Sequence, residues 1–227
     1  MSKIHLAAAL IVIFTTTAPA GAWFNETHLA IAKVAGYKKW YNAAAADIAR
    51  VKLGKLEGYN HYHNSPPDTV ITTELVLEQA RLYDKVNPDG HLYGAILGAL
   101  RVYIAAKARG NYAENHMAYL VHYVGDLSMP LHHMMSNEFN RKFHLVIDGI
   151  IEDEVLGNQD KIQLYPITIT SEADLAIEVA RVANISKNLG YQLEAQDRLL
   201  TREEAYQQIG HSASLLRAIL AYAGNLR

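Results

Sequence analysis

From residue 23 onward, apolar residues recur mostly at helical spacing, and that period organises the chain. HLAIAKVA, residues 28–35, reads as part of a first helix with Asn25 or Thr27 as its cap. A second helix spans about Trp40 to Leu53. Glu57 to Asp68, EGYNHYHNSPPD, is rich in Asn, Pro and Gly and reads as a loop. Thr72 to Val86 is amphipathic and stops at the turn signal Asn87-Pro88-Asp89-Gly90. Leu92 to Arg109 is apolar on more than one face, the pattern of a central buried helix, and Gly110-Asn111 closes it. A helix over Asn115 to Gly125 and a segment from Met134 to Leu156 follow. Helices over Ser171 to Leu189 and Thr201 to Asn225 open with the capping-box spacings Ser171-x-x-Asp174 and Thr201-x-x-Glu204. Only Ile162 to Ile169 is β-like, and Pro166 weakens it. The pattern predicts an all-α, single-domain bundle of roughly seven or eight helices over residues 23–227.

Residues 1–22 break that pattern. Lys3, the apolar run Leu6 to Phe14 and the small-x-small site Ala20-Gly21-Ala22 read as a secretory signal cleaved after Ala22, which leaves Trp23 first. The apolar run is too short to span a bilayer, so no transmembrane anchor is expected after cleavage. Export implies a secreted or periplasmic protein. The 227 residues carry a formal net charge of −2, which gives no basic footprint for duplex nucleic acid and no polybasic membrane anchor. There is no cysteine, so disulfides, thiolate zinc shells and Cys nucleophiles are excluded.

The candidate chemistry lies in HYVGDLSMPLH, residues 122–132. His122 and Asp126 are four apart and share a helix face, Pro130 turns the chain, and His132 returns from the other side. His144 and Asp148 repeat the four-residue step. A single histidine on an apolar face is ordinarily a hydrogen-bonded core residue. Five imidazole and carboxylate groups at this spacing instead suit a divalent cation such as zinc, whose charge also offsets burial of Asp126 and Asp148 on apolar helices. His63, His116 and His133 flank these positions and read as supporting or surface residues. His91 and His211 read as structural.

The same run resembles the H-Y-x-G-D-x-x-x-P-x-H signature of the zinc-dependent phospholipase C family, whose superfamily includes secreted zinc single-strand nucleases. Trp23 and His28 in WFNETHLAIA, His61 in NHYHNSPPD, Asp47 fourteen residues before it, and His144-x-x-x-Asp148 are similar to further family positions. The resemblance covers Trp23 to Asp148. It implies three zinc ions between helices: one on Asp47, His61, His122 and Asp126; one on His132, His144 and Asp148; one on His28, bridging Asp126 and the free amine and carbonyl of Trp23. It implies phosphodiester hydrolysis by water, with Asp47 as catalytic base or water-orienting group. The implied partner is a phospholipid, with peripheral membrane contact, or single-stranded nucleic acid in the nuclease/3′-nucleotidase branch. Departures occur in both branches. Ile48 and Gly58 stand where the phospholipases carry choline-cage aromatics, and Asn64 stands where the nucleases carry an acidic residue. The nucleases' Gly-Gly-Asn element and cysteines are absent, and an aromatic at the position of Tyr62, able to stack on a base, occurs in both branches. The phospholipase C-like reading is preferred, with a non-catalytic metal-binding helical module as the remaining alternative.

Overall fold

The computed structural model describes residues 23–53 and 55–225, so the expected signal lies outside the described residues. Among them are nine α-helices and no β-strand, as the helical period predicts. They are α1 (Asn25–Ala35), α2 (Ala45–Leu53), α3 (Lys55–Gly58), α4 (Thr73–Gln79), α5 (Leu92–Ala108), α6 (Glu114–Asp126), α7 (Glu138–Asp148), α8 (Glu172–Ala195) and α9 (Arg202–Asn225). Short 3₁₀ turns supply the remaining regular backbone, including Trp40–Asn42, where a continuous second helix was expected, and Pro130–His133. No helix among the described residues is long and apolar enough to cross a membrane.

One continuous cluster of buried apolar side chains runs from Trp23 to Ala223. The expected burial of all of α5 is corrected: Leu92 to Leu100 are buried, while Arg101 to Gly110 are exposed or half-buried. The centre is shared with α6, whose residues Leu120 to Asp126 are all buried. α6 packs on α5, α2, α9 and α1, which encloses its C-terminal half. The chemistry-bearing pair His122 and Asp126 therefore sits in the middle of the molecule.

Helix ends depart from the expectations where distant residues intervene. Neither Asn25 nor Thr27 caps α1. The Glu152 carboxylate accepts from the N–H groups of Glu26 and Thr27 at 2.8 and 3.0 Å and from the Thr27 hydroxyl at 3.0 Å. A carboxylate there complements the helix dipole and satisfies orphan donors. α4 is half the expected length. Its end crosses α5 so closely that a Cβ on Gly94 would stand 2.0 Å from the Gln79 carbonyl carbon, and the chain then turns through Asp84 in the left-handed region, φ 56°. Glu57 lies in α3, not in a loop. The β-like run finds no partner strand. It lies along α9, where Tyr165 N–H donates to Ser214 Oγ at 2.8 Å. α8 and α9 open on both expected capping boxes.

The 61–65 segment is pinned to the Pro130 turn by His63 N–H to the His132 carbonyl at 2.9 Å and Ser65 N–H to the His133 carbonyl at 3.3 Å. Lys187 of α8 is buried and donates to the carbonyls of Pro66, Pro67 and Thr69, which holds the continuation of that loop.

Candidate metal centre

α6 presents His122 and Asp126 one turn apart on its buried face. The other expected ligand side chains come from several separate elements, α1 supplying His28. α2 brings Asp47, whose side chain is 23% exposed. The turn after α3 brings His61. Pro130 starts a single 3₁₀ turn, capped at its start by Met129, whose Sδ accepts from Leu131 N–H at 3.0 Å. That turn aims His132 and His133 in different directions: His133 donates to the Leu127 carbonyl at 2.8 Å and meets the Tyr93 hydroxyl at 3.1 Å, on the far side. α7, capped by Asn137, carries His144 and Asp148 one turn apart.

The side chains form three adjoining groups: Asp47–His61–His122, His28–His122–Asp126 and His132–His144–Asp148. Within each group the donor atoms lie within 4.8 Å of one another. Asp126 joins them. Its Oδ2 lies 2.9 Å from His61 Nδ1 and 3.4 Å from His122 Nε2. Its Oδ1 lies 3.3 Å from His28 Nε2 and 3.9 Å from His132 Nδ1. Each oxygen thus serves a different side, the geometry of a bridging carboxylate.

The first group has the shape of a coordination cage. His61 Nδ1 and His122 Nε2 are 3.3 Å apart, and Asp47 Oδ1 stands 3.8 and 3.7 Å from them. With the two Asp126 distances, these edges run from 2.9 to 3.8 Å. Four ligands about 2.1 Å from a tetrahedral zinc ion stand about 3.4 Å apart. The donor set fits as well, since it is all imidazole and carboxylate. Both ring nitrogens of His28, Nε2 of His61 and Oδ1 of Asp126 are buried without a hydrogen bond, a costly arrangement that a cation and small adjustments would relieve.

Tautomers are set from outside. His122 Nδ1 donates to the Ala43 carbonyl at 2.9 Å, which leaves Nε2 to face the cage. His144 Nδ1 donates to Asn140 Oδ1 at 2.7 Å, while Asn140 Nδ2 donates to the Leu131 carbonyl at 2.9 Å. His144 Nε2 then faces Asp148 Oδ2 at 3.5 Å. Such partners orient metal-binding histidines. Neither Asn140 nor Glu57 was among the expected site residues. Asn140 stands four residues before His144, a spacing visible in the sequence.

The charges are tightly linked. Burial pushes the Asp126 carboxyl up, but His122, His28, His61 and His132 outweigh it and hold it well below the usual carboxylate range. Burial likewise opposes ionisation of Asp47, yet His122 and His61 keep its carboxyl below the ordinary value. Burial lowers His61, but Asp126, bonded to its Nδ1 at 2.9 Å, and the Glu57 carboxylate, 3.6 Å from its Nε2, lift it to about 9. His122 is pushed down to about 4 by burial and by His28, whose ring stacks on it with centroids 3.9 Å apart. Ionised carboxylates and the neutral His122 are forms that bind cations, whereas His61 must give up a proton to do so.

Trp23 is buried beside these groups. Its indole N–H donates to Ser128 Oγ at 3.1 Å, and the next residue's N–H donates to the Asp148 carbonyl at 3.4 Å. Ligation by its amine presumes cleavage after Ala22 and so involves residues outside those described. The histidines expected to be structural are held elsewhere: His91 donates to Asn60 at 2.8 Å and His211 stacks on Tyr165. His63, read as a supporting or surface residue, donates to the Gly90 carbonyl at 2.8 Å. Tyr62, the candidate base-stacking residue, has its hydroxyl tied to the Pro88 carbonyl at 3.1 Å. Among the described residues, three largely buried His/Asp groups could thus hold metal ions. No family model, no curated protein and no solved structure matches the chain.

Proposed function

We propose that this protein is a zinc-dependent phosphodiester hydrolase of phospholipase C-like type. The observation that carries this reading is the convergence on Asp126 of His28, His61, His122 and His132, with Asp47, His144 and Asp148 completing the three groups. Divalent cations in such shells act as Lewis acids on phosphoryl oxygens and make water a competent nucleophile near neutral pH.

The chain's own residues then have distinct tasks. Asp47, the partly exposed carboxylate of the cage, orients the attacking water. Asp126 holds the groups at fixed separation. Water adds to phosphorus and gives up a proton, the bond from phosphorus to the leaving oxygen breaks, and that oxygen takes up a proton, which yields a phosphomonoester and an alcohol. With no cysteine in the chain, no thiolate intermediate enters. On this reading, removal of residues 1–22 converts the amide nitrogen of Trp23 into an amine able to bind a third ion.

Exposed apolar residues that follow ligands in the sequence favour an amphiphilic substrate. Ile48, next to Asp47, is 63% exposed, and Leu145, next to His144, is 45% exposed. A groove of about 370 Å³ along the α2–α6 seam is lined by Ile48, Ala49, Ala118 and Tyr119, with Asn42, Glu114 and Asn115 as its polar part. Such surfaces suit acyl chains at a lipid interface better than a polyanionic strand.

Hydrolysis of bis-p-nitrophenyl phosphate with and without a chelator tests the reaction class. Phosphatidylcholine vesicles and single-stranded DNA, assayed in parallel, separate the substrates. Chelator-sensitive turnover with preference for vesicles is expected. Preference for DNA transfers the site to the nuclease reading, and metal loading without turnover on any of the three leaves a metal-binding module.

A further inference from the structure

His61 lies between two buried carboxylates. Its Nδ1 faces the cage, 2.9 Å from Asp126 Oδ2. Its Nε2 faces Glu57 Oε1 at 3.6 Å. Glu57 belongs to none of the three groups, yet it is only 3% exposed. A buried carboxylate needs partners, and Glu57 has two that fix its orientation. The Tyr123 hydroxyl donates to Oε1 at 2.5 Å, and Asn60 Nδ2 donates to Oε2 at 3.1 Å. Tyr123 is the residue after His122 on α6, so Glu57 is tied to the helix that carries the cage. Asn60 is itself held, since its Oδ1 accepts from His91 Nε2.

The chemistry requires such a group. A neutral imidazole has one lone pair. His61 offers Nδ1 to a cation only when its proton resides on Nε2. Free histidine favours neither arrangement strongly enough to specify a ligand atom, and a carboxylate beyond the ring is the usual means of choosing one. His122 and His144 have Ala43 O and Asn140 Oδ1 for that purpose. The carboxylate facing the outer nitrogen of His61 is that of Glu57. We infer that Glu57 is a positioning residue which retains the His61 proton on Nε2 and so presents Nδ1 to a cation in the Asp47–His61–His122–Asp126 cage. This rests on the metal-binding reading above, and the test separates the two.

Wild type, Glu57→Gln, Glu57→Leu and Tyr123→Phe are stripped of metal and titrated with zinc by equilibrium dialysis. Long-range ¹H–¹⁵N correlation of the histidine rings then reads the tautomer of His61 in the loaded proteins. The expected result is a 10- to 100-fold weaker affinity for one ion in Glu57→Leu, on the scale of lost outer partners. The His132–His144–Asp148 group should stay loaded as an internal control for folding. Glu57→Gln, which keeps an accepting oxygen in place, should recover part of that loss. Tyr123→Phe, which touches Glu57 and not the imidazole nitrogen, should lose less than Glu57→Leu. Wild-type His61 should carry its proton on Nε2. Equal affinity and an unaltered tautomer in Glu57→Leu overturn the inference, as does the same equality in Glu57→Gln if Glu57→Leu fails to fold. A wild type that takes up no zinc overturns the metal reading itself.

Discussion

Gly125 sits between Val124 and Asp126 in the buried half of α6, and its missing side chain makes room for a ligand. A Cβ there would stand 2.3 Å from His28 Nδ1 and 2.6 Å from His28 Cε1. Ordinary contact begins near 3.4 Å, so Gly125→Ala forces the ring back by about 1 Å. The ring cannot retreat without cost, because its face stacks on His122 and its Nε2 lies 3.3 Å from Asp126 Oδ1. Metal shells tolerate displacements of about 0.2 Å, so the His28–His122–Asp126 group should lose about 10- to 100-fold in affinity. Metal-free stability should change far less. Overpacking costs about 1–3 kcal/mol, and replacing a mid-helix glycine returns about 0.5–1 kcal/mol. At about 2–4 °C per kcal/mol for a domain of this size, the metal-free Tm should fall by no more than about 10 °C. Metal content by mass spectrometry after gel filtration, with thermal unfolding of the stripped protein, reads both quantities. Gly224→Ala, where an added Cβ meets nothing within 4 Å, is the control and should alter neither. Full metal content together with an unchanged metal-free Tm in Gly125→Ala refutes the contact and the placement of His28.

Asp47→Asn should reduce turnover of a phosphodiester at least tenfold while most metal remains bound, because three ligands of its cage persist; a near-normal rate removes the role assigned to Asp47. Asn140→Leu should weaken zinc binding at His132–His144–Asp148 by about 10- to 100-fold, read by competition with a chromogenic chelator, and undiminished affinity contradicts the orientation of His144 by Asn140. Far from the site, the Arg198 guanidinium holds the Glu204 carboxyl down to about 2. The folded value lies below the unfolded one, so this stabilisation is complete above about pH 4.5 and is lost as pH falls toward 2. Glu204→Gln should therefore unfold more easily than wild type in urea at pH 6, and the gap should narrow steadily by pH 3; a gap that stays constant with pH contradicts the pairing.

Much of the helical framework was legible because local signals and tertiary structure agree. The serine and threonine boxes at 171 and 201 place the starts of α8 and α9 correctly, since each cap lies within its own helix. Where partners are distant, the sequence was silent. The cap of α1 comes from Glu152, 126 residues beyond Glu26. α4 ends early because α5 crosses it at Gly94, a contact no periodicity records.

The site divides in the same way. His122, Asp126, His144 and Asp148 stand out by their four-residue steps, because α6 and α7 are regular helices. The association of His28, Asp47 and His61 with them was implied by resemblance alone, since two further helices, α1 and α2, and the turn after α3 bring them together. His28 stacking on His122, which makes one imidazole common to two groups, could not be read from spacing. Glu57 stands four residues before His61, yet a segment rich in Asn, Pro and Gly concealed the short helix that gives this spacing meaning. Gly125 has a physical reason only once His28 is placed against it.

X-ray absorption at the zinc edge of protein purified without added metal and then loaded tests the central claim most directly. The account predicts three zinc ions per chain with nitrogen and oxygen neighbours only, about 2.0–2.1 Å away. Protein that remains metal-free in excess zinc, or a spectrum of zinc surrounded by water oxygens alone, contradicts it.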